Sequence, residues 1–159
     1  GEDCFLVINS DNYYPIPVLR RMREIGGPAI TLFERDRLIA AGNIPEERVL
    51  KFALAKVGED GCLDQILEKP SEGAVRQLGC PLYVSMNCWV FSPAIFRACH
   101  SIPVSIRGEL ELTDAVQYAI DTMKQRFKVL RSHDAVLDMS SRSDIATVAE
   151  MLRSLNPNP

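Results

Sequence analysis

Residues 4–8, Cys-Phe-Leu-Val-Ile, are apolar at every position and run straight into the polar cluster Asn9-Ser10-Asp11-Asn12. An uninterrupted apolar run suits a strand covered on both faces, and a cluster of Asn, Ser and Asp favours a turn. Cover on both faces is what a parallel sheet provides. Such a strand normally lies inside its sheet, so the run beside Gly1 leads us to expect further sheet ahead of it.

The rest of the chain alternates in the same way. Val18, Leu19, Met22 and Ile25 recur at helical spacing over residues 16–25, and Gly26-Gly27-Pro28 closes that helix. Ala29 to Phe33 reads as a second strand, followed by a short helical stretch ending near Gly42. Residues 49–57 and 62–67 flank Gly58-Glu59-Asp60-Gly61, a hairpin signal. Leu82 to Phe91 is a strand ended by Ser92-Pro93, with a short helix at 94–99. Thr113 is placed to cap a helix that turns Val116, Ala119, Ile120, Met123 and Phe127 to one face. A last strand, Ala135 to Leu137, leads to Asp138; Ser143 then caps a helix with Ile145, Val148, Leu152 and Leu155 inward. Strands alternating with helices, plus one hairpin, predict an α/β layered fold.

Composition removes several functions. With 18 Lys+Arg against 21 Asp+Glu, the net charge of −3 does not supply the basic surface on which nucleic-acid binders depend. No apolar run approaches the ~20 residues of a membrane span, and no leader pattern is present, so we expect a cytoplasmic protein. The five cysteines form no C-x-x-C pair, which suits free thiols in a reducing compartment. His100 follows Cys99 directly, whereas catalytic Cys/His pairs are made in space by distant segments, and His133 lies in a polar stretch.

Open α/β sheets collect ligands at the carboxyl ends of their strands. Charged groups stand at three predicted strand ends: Asp11, Glu68-Lys69 and Asp138. Two aspartates from separate strands suit a shared Mg²⁺, a cation that prefers a couple of carboxylates with phosphate oxygens and water. Lys69 offers a point charge for phosphate, and Glu68 accepts hydrogen bonds from hydroxyls. Neither G-x-G-x-x-G nor G-x-x-x-x-G-K-[ST] occurs, so phosphate bound by this chain meets side chains rather than a glycine cradle.

These segments resemble one family in its own order. Phe5-Leu-Val-Ile-Asn-Ser-Asp-Asn12 is similar to the apolar strand and Asp motif of sugar-phosphate nucleotidyltransferases, and Leu67-Glu-Lys-Pro70 to their E-K-P motif. Val90-Phe-Ser-Pro93 resembles their strand exit, Gly108-Glu-Leu-Glu-Leu-Thr-Asp114 their G-E-x-E-[IL]-T-D segment, and Leu137-Asp138 with Ser143-Asp144 their second Asp motif. The resemblance implies a Rossmann-like fold with a mixed, mainly parallel sheet, incomplete at its N-terminus, with residues 1–159 as a single partial domain. It implies transfer of a nucleotidyl group from a nucleoside triphosphate to a sugar 1-phosphate, with release of pyrophosphate and Mg²⁺ as cofactor. Asp11 and Asp138 would hold the metal and Lys69 the sugar phosphate, all three as catalytic residues. Glu68 and Asn87 would bind the sugar. Glu111 and Asp114, at a helix start, are read as structural.

Two departures qualify this picture. Met139-Ser140-Ser141 replaces the small Gly-Thr pair expected after the second Asp, and Ser85-Met-Asn-Cys88 departs from N-A-G. The family's opening strand and glycine-rich loop find no match, so that portion is expected ahead of Gly1. The alternative is a non-catalytic sugar-phosphate-binding or regulatory domain of the same fold. An uncovered sheet edge near Cys4 leads to the further expectation of a homodimer.

Overall fold

The computed structural model describes residues 3–155. In chain order its strands are β1 (Phe5–Val7), β2 (Asn12–Tyr13), β3 (Ala29–Glu34), β4 (Ala53–Val57), β5 (Leu63–Leu67), β6 (Tyr83–Phe91), β7 (Lys128–Ser132) and β8 (Leu137–Asp138). Its helices are α1 (Ile16–Glu24), α2 (Arg35–Ala41), α3 (Glu46–Val49), α4 (Glu72–Leu78), α5 (Ala94–Ser101), α6 (Leu112–Asp121) and α7 (Asp144–Leu155). The main sheet runs β5-β4-β6-β3-β7, with β1 also on β6, and β2 with β8 forms a separate ribbon.

Two apolar clusters sandwich the sheet. One face buries Val18 and Met22 of α1, Leu38 of α2 and Val49 of α3 against Phe33, Leu54 and Val84. The other buries Ile95 and Ala98 of α5 and Ala115, Val116 and Ala119 of α6 against Ile30, Leu32, Trp89 and Phe127. The layered α/β arrangement expected from the alternation is therefore present.

The sheet is mostly antiparallel, which corrects the expectation of a mainly parallel one. Only β3–β7 pairs parallel; β1–β6, β3–β6, β4–β6 and β4–β5 are antiparallel. The physical reason lies in what a helical crossover dictates. It returns the chain in the same direction, so β1, β3, β4 and β7 all point one way, but it does not make them neighbours. The long strand β6, running oppositely, is inserted between them and takes most of the pairings.

Other local expectations also change. The run at 4–8 is not covered on both faces: Leu6 is 41% and Ile8 43% exposed, and β1 is bonded along one side, to β6. The continuously buried strand is β3, whose Ala29 to Phe33 face alternately into the two clusters. The last helix buries Val148, but Ile145 (53% exposed) and Leu155 (50%) face out. Glu111, not Thr113, occupies the cap position of α6, and Thr113 is buried within the first turn. Strand β7 was not anticipated, because Lys128 and Arg131 interrupt its apolar pattern.

Candidate functional site

The register of β6 explains how residues distant in sequence meet. β1 pairs with its C-terminal part (Val7↔Trp89) and β4 with its N-terminal part (Ala53↔Ser85). Both lie on the side of β6 opposite β3, so the line of bonding partners breaks where β1 ends and β4 begins. Asp11 follows the end of β1, and Glu68-Lys69 follow the end of β5, which is bonded to the start of β4 (Leu54↔Leu67). Asn87 stands in β6 itself, facing the break. Four of the anticipated positions thus converge on one interruption of the sheet edge.

At that interruption β6 bulges. Two residues of β3, from Ile30 to Leu32, span four of β6, from Trp89 to Ser85. Asn87 sits at the centre with φ 54, a left-handed conformation that Asn tolerates better than most residues. Lys69 also has positive φ, 44, and there the cost to a long side chain is roughly 1–2 kcal/mol. Strained backbone at two of the five anticipated site positions is the pattern expected where geometry serves a ligand rather than stability.

The bulge is held by Tyr14. Its buried hydroxyl donates to the Met86 carbonyl and accepts from the Asn9 N–H at 3.2 Å, tying the turn that carries Asp11 to the strand that carries Asn87. Burial pushes the phenol well above its ordinary range, so it stays a neutral donor. Tyr14→Phe leaves the buried Met86 carbonyl and the part-buried Asn9 N–H without this partner, and about 1–3 kcal/mol of stability should be lost, measurable by urea unfolding.

Glu68, Lys69, Pro70 and Ser71 form one wall of a cleft of about 730 Å³, and Val104, Ser105, Ile106, Arg107, Glu111 and Asp114 form the other. Burial raises the Glu68 carboxyl above the usual carboxylate range, opposed by the charges of Lys69 and Arg107. Arg107 is a functional candidate that the motif reading missed. Its guanidinium is held 2.6 Å from Glu111 Oε1, which also accepts from Ser105 Oγ at 3.0 Å. The signal was a lone arginine directly before the Gly108-Glu109-Leu110-Glu111 segment, on no helix face that would explain it. Glu111 stands at the helix start as read from the sequence, but its side chain makes no cap bond there and pairs with that arginine instead. The cleft therefore pairs two cations with hydroxyl-accepting carboxylates, a composition suited to a phosphorylated polyol.

Asp138 is brought beside Asp11 by the β2–β8 ribbon: Asn12 pairs with Asp138, and the Met139 N–H donates to the Asp11 carbonyl at 3.0 Å. Their carboxylates differ in setting. Asp11 is exposed, whereas Asp138 is 2% exposed and accepts from Arg48 Nη1 at 2.8 Å and from Ser140 Oγ. Arg48 also makes a two-pronged pair with Asp144, at 3.0 and 3.2 Å. Among the described residues no group of three or more His, Cys, Asp or Glu is placed to hold a metal. An ion shared by both aspartates does not fit this arrangement, because Asp138 is buried and paired with the permanent positive charge of Arg48.

The Arg48 contact, followed by bonds from Ser141, holds the Asp144 carboxyl at about 2, below its ordinary 3.8. A lowered acid stabilises the fold above its unfolded value and loses that contribution as pH falls through the folded one. Stability should therefore decline with a steeper slope between 3.8 and about 2 in the parent than in Asp144→Asn, as followed by circular dichroism during acid titration.

A nucleotidyl transferase family model matches residues 1–154. The chain belongs to the nucleotidyl transferase family. It is 39% identical over 129 residues to the low-salt glycan biosynthesis nucleotidyltransferase Agl11 of Haloferax volcanii, covering 77% of this chain and 32% of that protein. It is 32% identical over 121 residues to a glucose-1-phosphate thymidylyltransferase of Streptomyces griseus, covering 76% and 30%. The chain thus spans about a third of the length of these curated relatives. In fold it is similar to a UDP-glucose pyrophosphorylase complexed with UDP-glucose (TM-score 0.69, 16% identity, 98% of this chain and 58% of that one). It is similar also to the inositol-1-phosphate CTP transferase of T. maritima (TM-score 0.67, 16% identity, 99% and 58%). No helix among the described residues is long and apolar enough to cross a membrane.

Proposed function

We propose that this chain carries the sugar-phosphate side of a nucleotidyltransferase that joins a sugar 1-phosphate to a nucleoside triphosphate. The observation that carries the reading is the cleft where Lys69 and Arg107 flank Glu68. Lys69 and Arg107 neutralise the sugar phosphate, Glu68 accepts from sugar hydroxyls, and Asn87 faces the sugar from β6. A phosphate oxygen of the sugar 1-phosphate attacks the α-phosphorus; the new O–P bond forms in line as the bond to the β-phosphate oxygen breaks, and pyrophosphate leaves with that electron pair. Positioning and charge neutralisation are what such a displacement asks of the protein. Mg²⁺, which the family resemblance implies, would neutralise phosphate charge, and Asp11 offers it an exposed carboxylate.

A second reading, a binding or regulatory domain without turnover, is favoured by one observation. Ser140, in the altered turn after Asp138, gives its one hydroxyl proton to the Asp138 carboxylate and so occupies the second aspartate with a protein contact. Pyrophosphate release tests the two. The chain is incubated with Mg²⁺, each of the four nucleoside triphosphates and a panel of sugar 1-phosphates, with Lys69→Met as the blank. Release that requires a sugar 1-phosphate and vanishes in the blank is expected. Binding of the sugar phosphate without release would select the second reading, and neither binding nor release would sink both.

A further inference from the structure

Asp138 occupies the position from which a metal ligand was expected, yet its carboxylate is buried and held by protein groups. Oδ2 accepts from Arg48 Nη1 at 2.8 Å, and the single Ser140 hydroxyl proton is shared between Oδ2 and Oδ1, with Oγ 2.6 and 2.7 Å away. Its peptide group is clamped as well: Asn43 Nδ2 donates to the Asp138 carbonyl at 2.6 Å, and the Asp138 N–H donates to Asn43 Oδ1 at 2.8 Å. Arg48 also donates twice to Asp144, whose Oδ2 accepts from the Ser141 N–H and hydroxyl at 2.9 Å. The segment bearing Asn43 approaches closely because Gly42 lacks a Cβ; one there would stand 2.9 Å from the Val136 carbonyl.

The charges make this arrangement hard to exchange for a metal site. A guanidinium does not lose its proton in a protein, so a divalent ion on Asp138 would sit against a fixed positive charge or have to displace it. Displacing it would leave Asp144, 9% exposed, without its cation. Mg²⁺ also demands near-ideal octahedral geometry, and a buried carboxylate pinned by a guanidinium and a seryl hydroxyl is not free to turn into it.

We infer that Asp138 is committed to Arg48 as an ion-pair anchor and is not a ligand of the reaction's cation. Arg48 is then a positioning residue. Through Asp138 and the β2–β8 ribbon it fixes the turn that presents Asp11, which is left as the one carboxylate of the pair exposed to a metal. The inference rests on the contacts of Asp138 alone, so it stands or falls separately from turnover by this chain.

Carboxyl ¹³C NMR of the unsubstituted chain during MgCl₂ titration, with and without a sugar 1-phosphate, tests it directly. The Asp138 Cγ resonance is expected to stay put at all Mg²⁺ concentrations, whether or not that of Asp11 moves. A saturating Mg²⁺-dependent shift of Asp138 Cγ would overturn the inference. A second readout is thermal unfolding in EDTA of Asp138→Asn, Arg48→Met and the double variant. Each single change should lower Tm by several degrees, and the double variant should lose clearly less than their sum. An Asp138→Asn chain as stable in EDTA as the parent, or more so, would be the behaviour of crowded carboxylates awaiting a metal and would contradict the anchor.

Discussion

Replacing Lys69 by Met should weaken binding of a sugar 1-phosphate by roughly 10- to 150-fold, the worth of about 1.5–3 kcal/mol for a charge-assisted hydrogen bond to phosphate. The fold should be indifferent to the change. Lys69 is exposed, and no bond from its side chain holds another element in place. Isothermal calorimetry gives the affinity, and thermal unfolding gives the control. Lys69→Gly sharpens the argument, because glycine adopts φ 44 without strain. That variant should lose affinity to a similar extent while unfolding at the same temperature or higher. Retained affinity in both variants would show that the left-handed backbone at Lys69 serves the loop and not a phosphate.

The largest effect on stability is expected at Trp89, the only tryptophan in the chain. It is fully buried in β6, stacked on Phe91 at 5.3 Å between ring centres and edge-on to Phe127 at 6.1 Å. Trp89→Ala opens a cavity under α5 and α6 and should cost about 3–5 kcal/mol in urea unfolding followed by circular dichroism. The indole also donates to Asn87 Oδ1 at 3.4 Å, so the core on this face supports the bulge above it. Trp89→Phe, which keeps most of the apolar area but removes that donor, should recover most of the stability while loosening Asn87. A loss below about 1 kcal/mol for Trp89→Ala would mean that this cluster is not packed as described.

Much of the architecture was legible in local pattern because helix spacing and turn chemistry are local properties. The 58–61 hairpin, the strand through Leu82–Phe91 and the helix begun near Thr113 all follow from residues near one another, although that helix ends at Asp121 and leaves Met123 and Phe127, expected on its face, beyond it. Pairing direction did not follow, because it depends on which strand is inserted beside which. Nothing near β3 announces that β6 will separate it from β1 and β4. Alternation likewise misled at the end of the chain: the spacing of Ile145, Val148, Leu152 and Leu155 is helical, but α7 buries mainly Val148 against the fold.

The site was legible as motifs and not as a geometry. Asp11, Glu68, Lys69 and Asn87 could be picked out from short segments, and the register of β1, β4 and β5 sets their strand ends around one break in the β6 edge. The partners that set their positions were invisible. Tyr14 reads as one more apolar residue, and Arg48 as part of a charged helix face, until the bonds to Met86 and Asp138 are seen. Asp138 is the clearest instance, since its motif suggests a metal while its contacts are those of an ion pair.

The central claim is that a sugar 1-phosphate binds at the break in the β6 edge. Titration of the ¹⁵N-labelled chain with glucose 1-phosphate, followed by amide chemical shifts, tests it most directly. The account predicts the largest shifts at Glu68, Lys69, Asn87 and Arg107, saturating with a single affinity. Shifts confined to another surface, such as the cleft lined by Arg97, Tyr118 and Gln125, or no saturable shift at all, would contradict it.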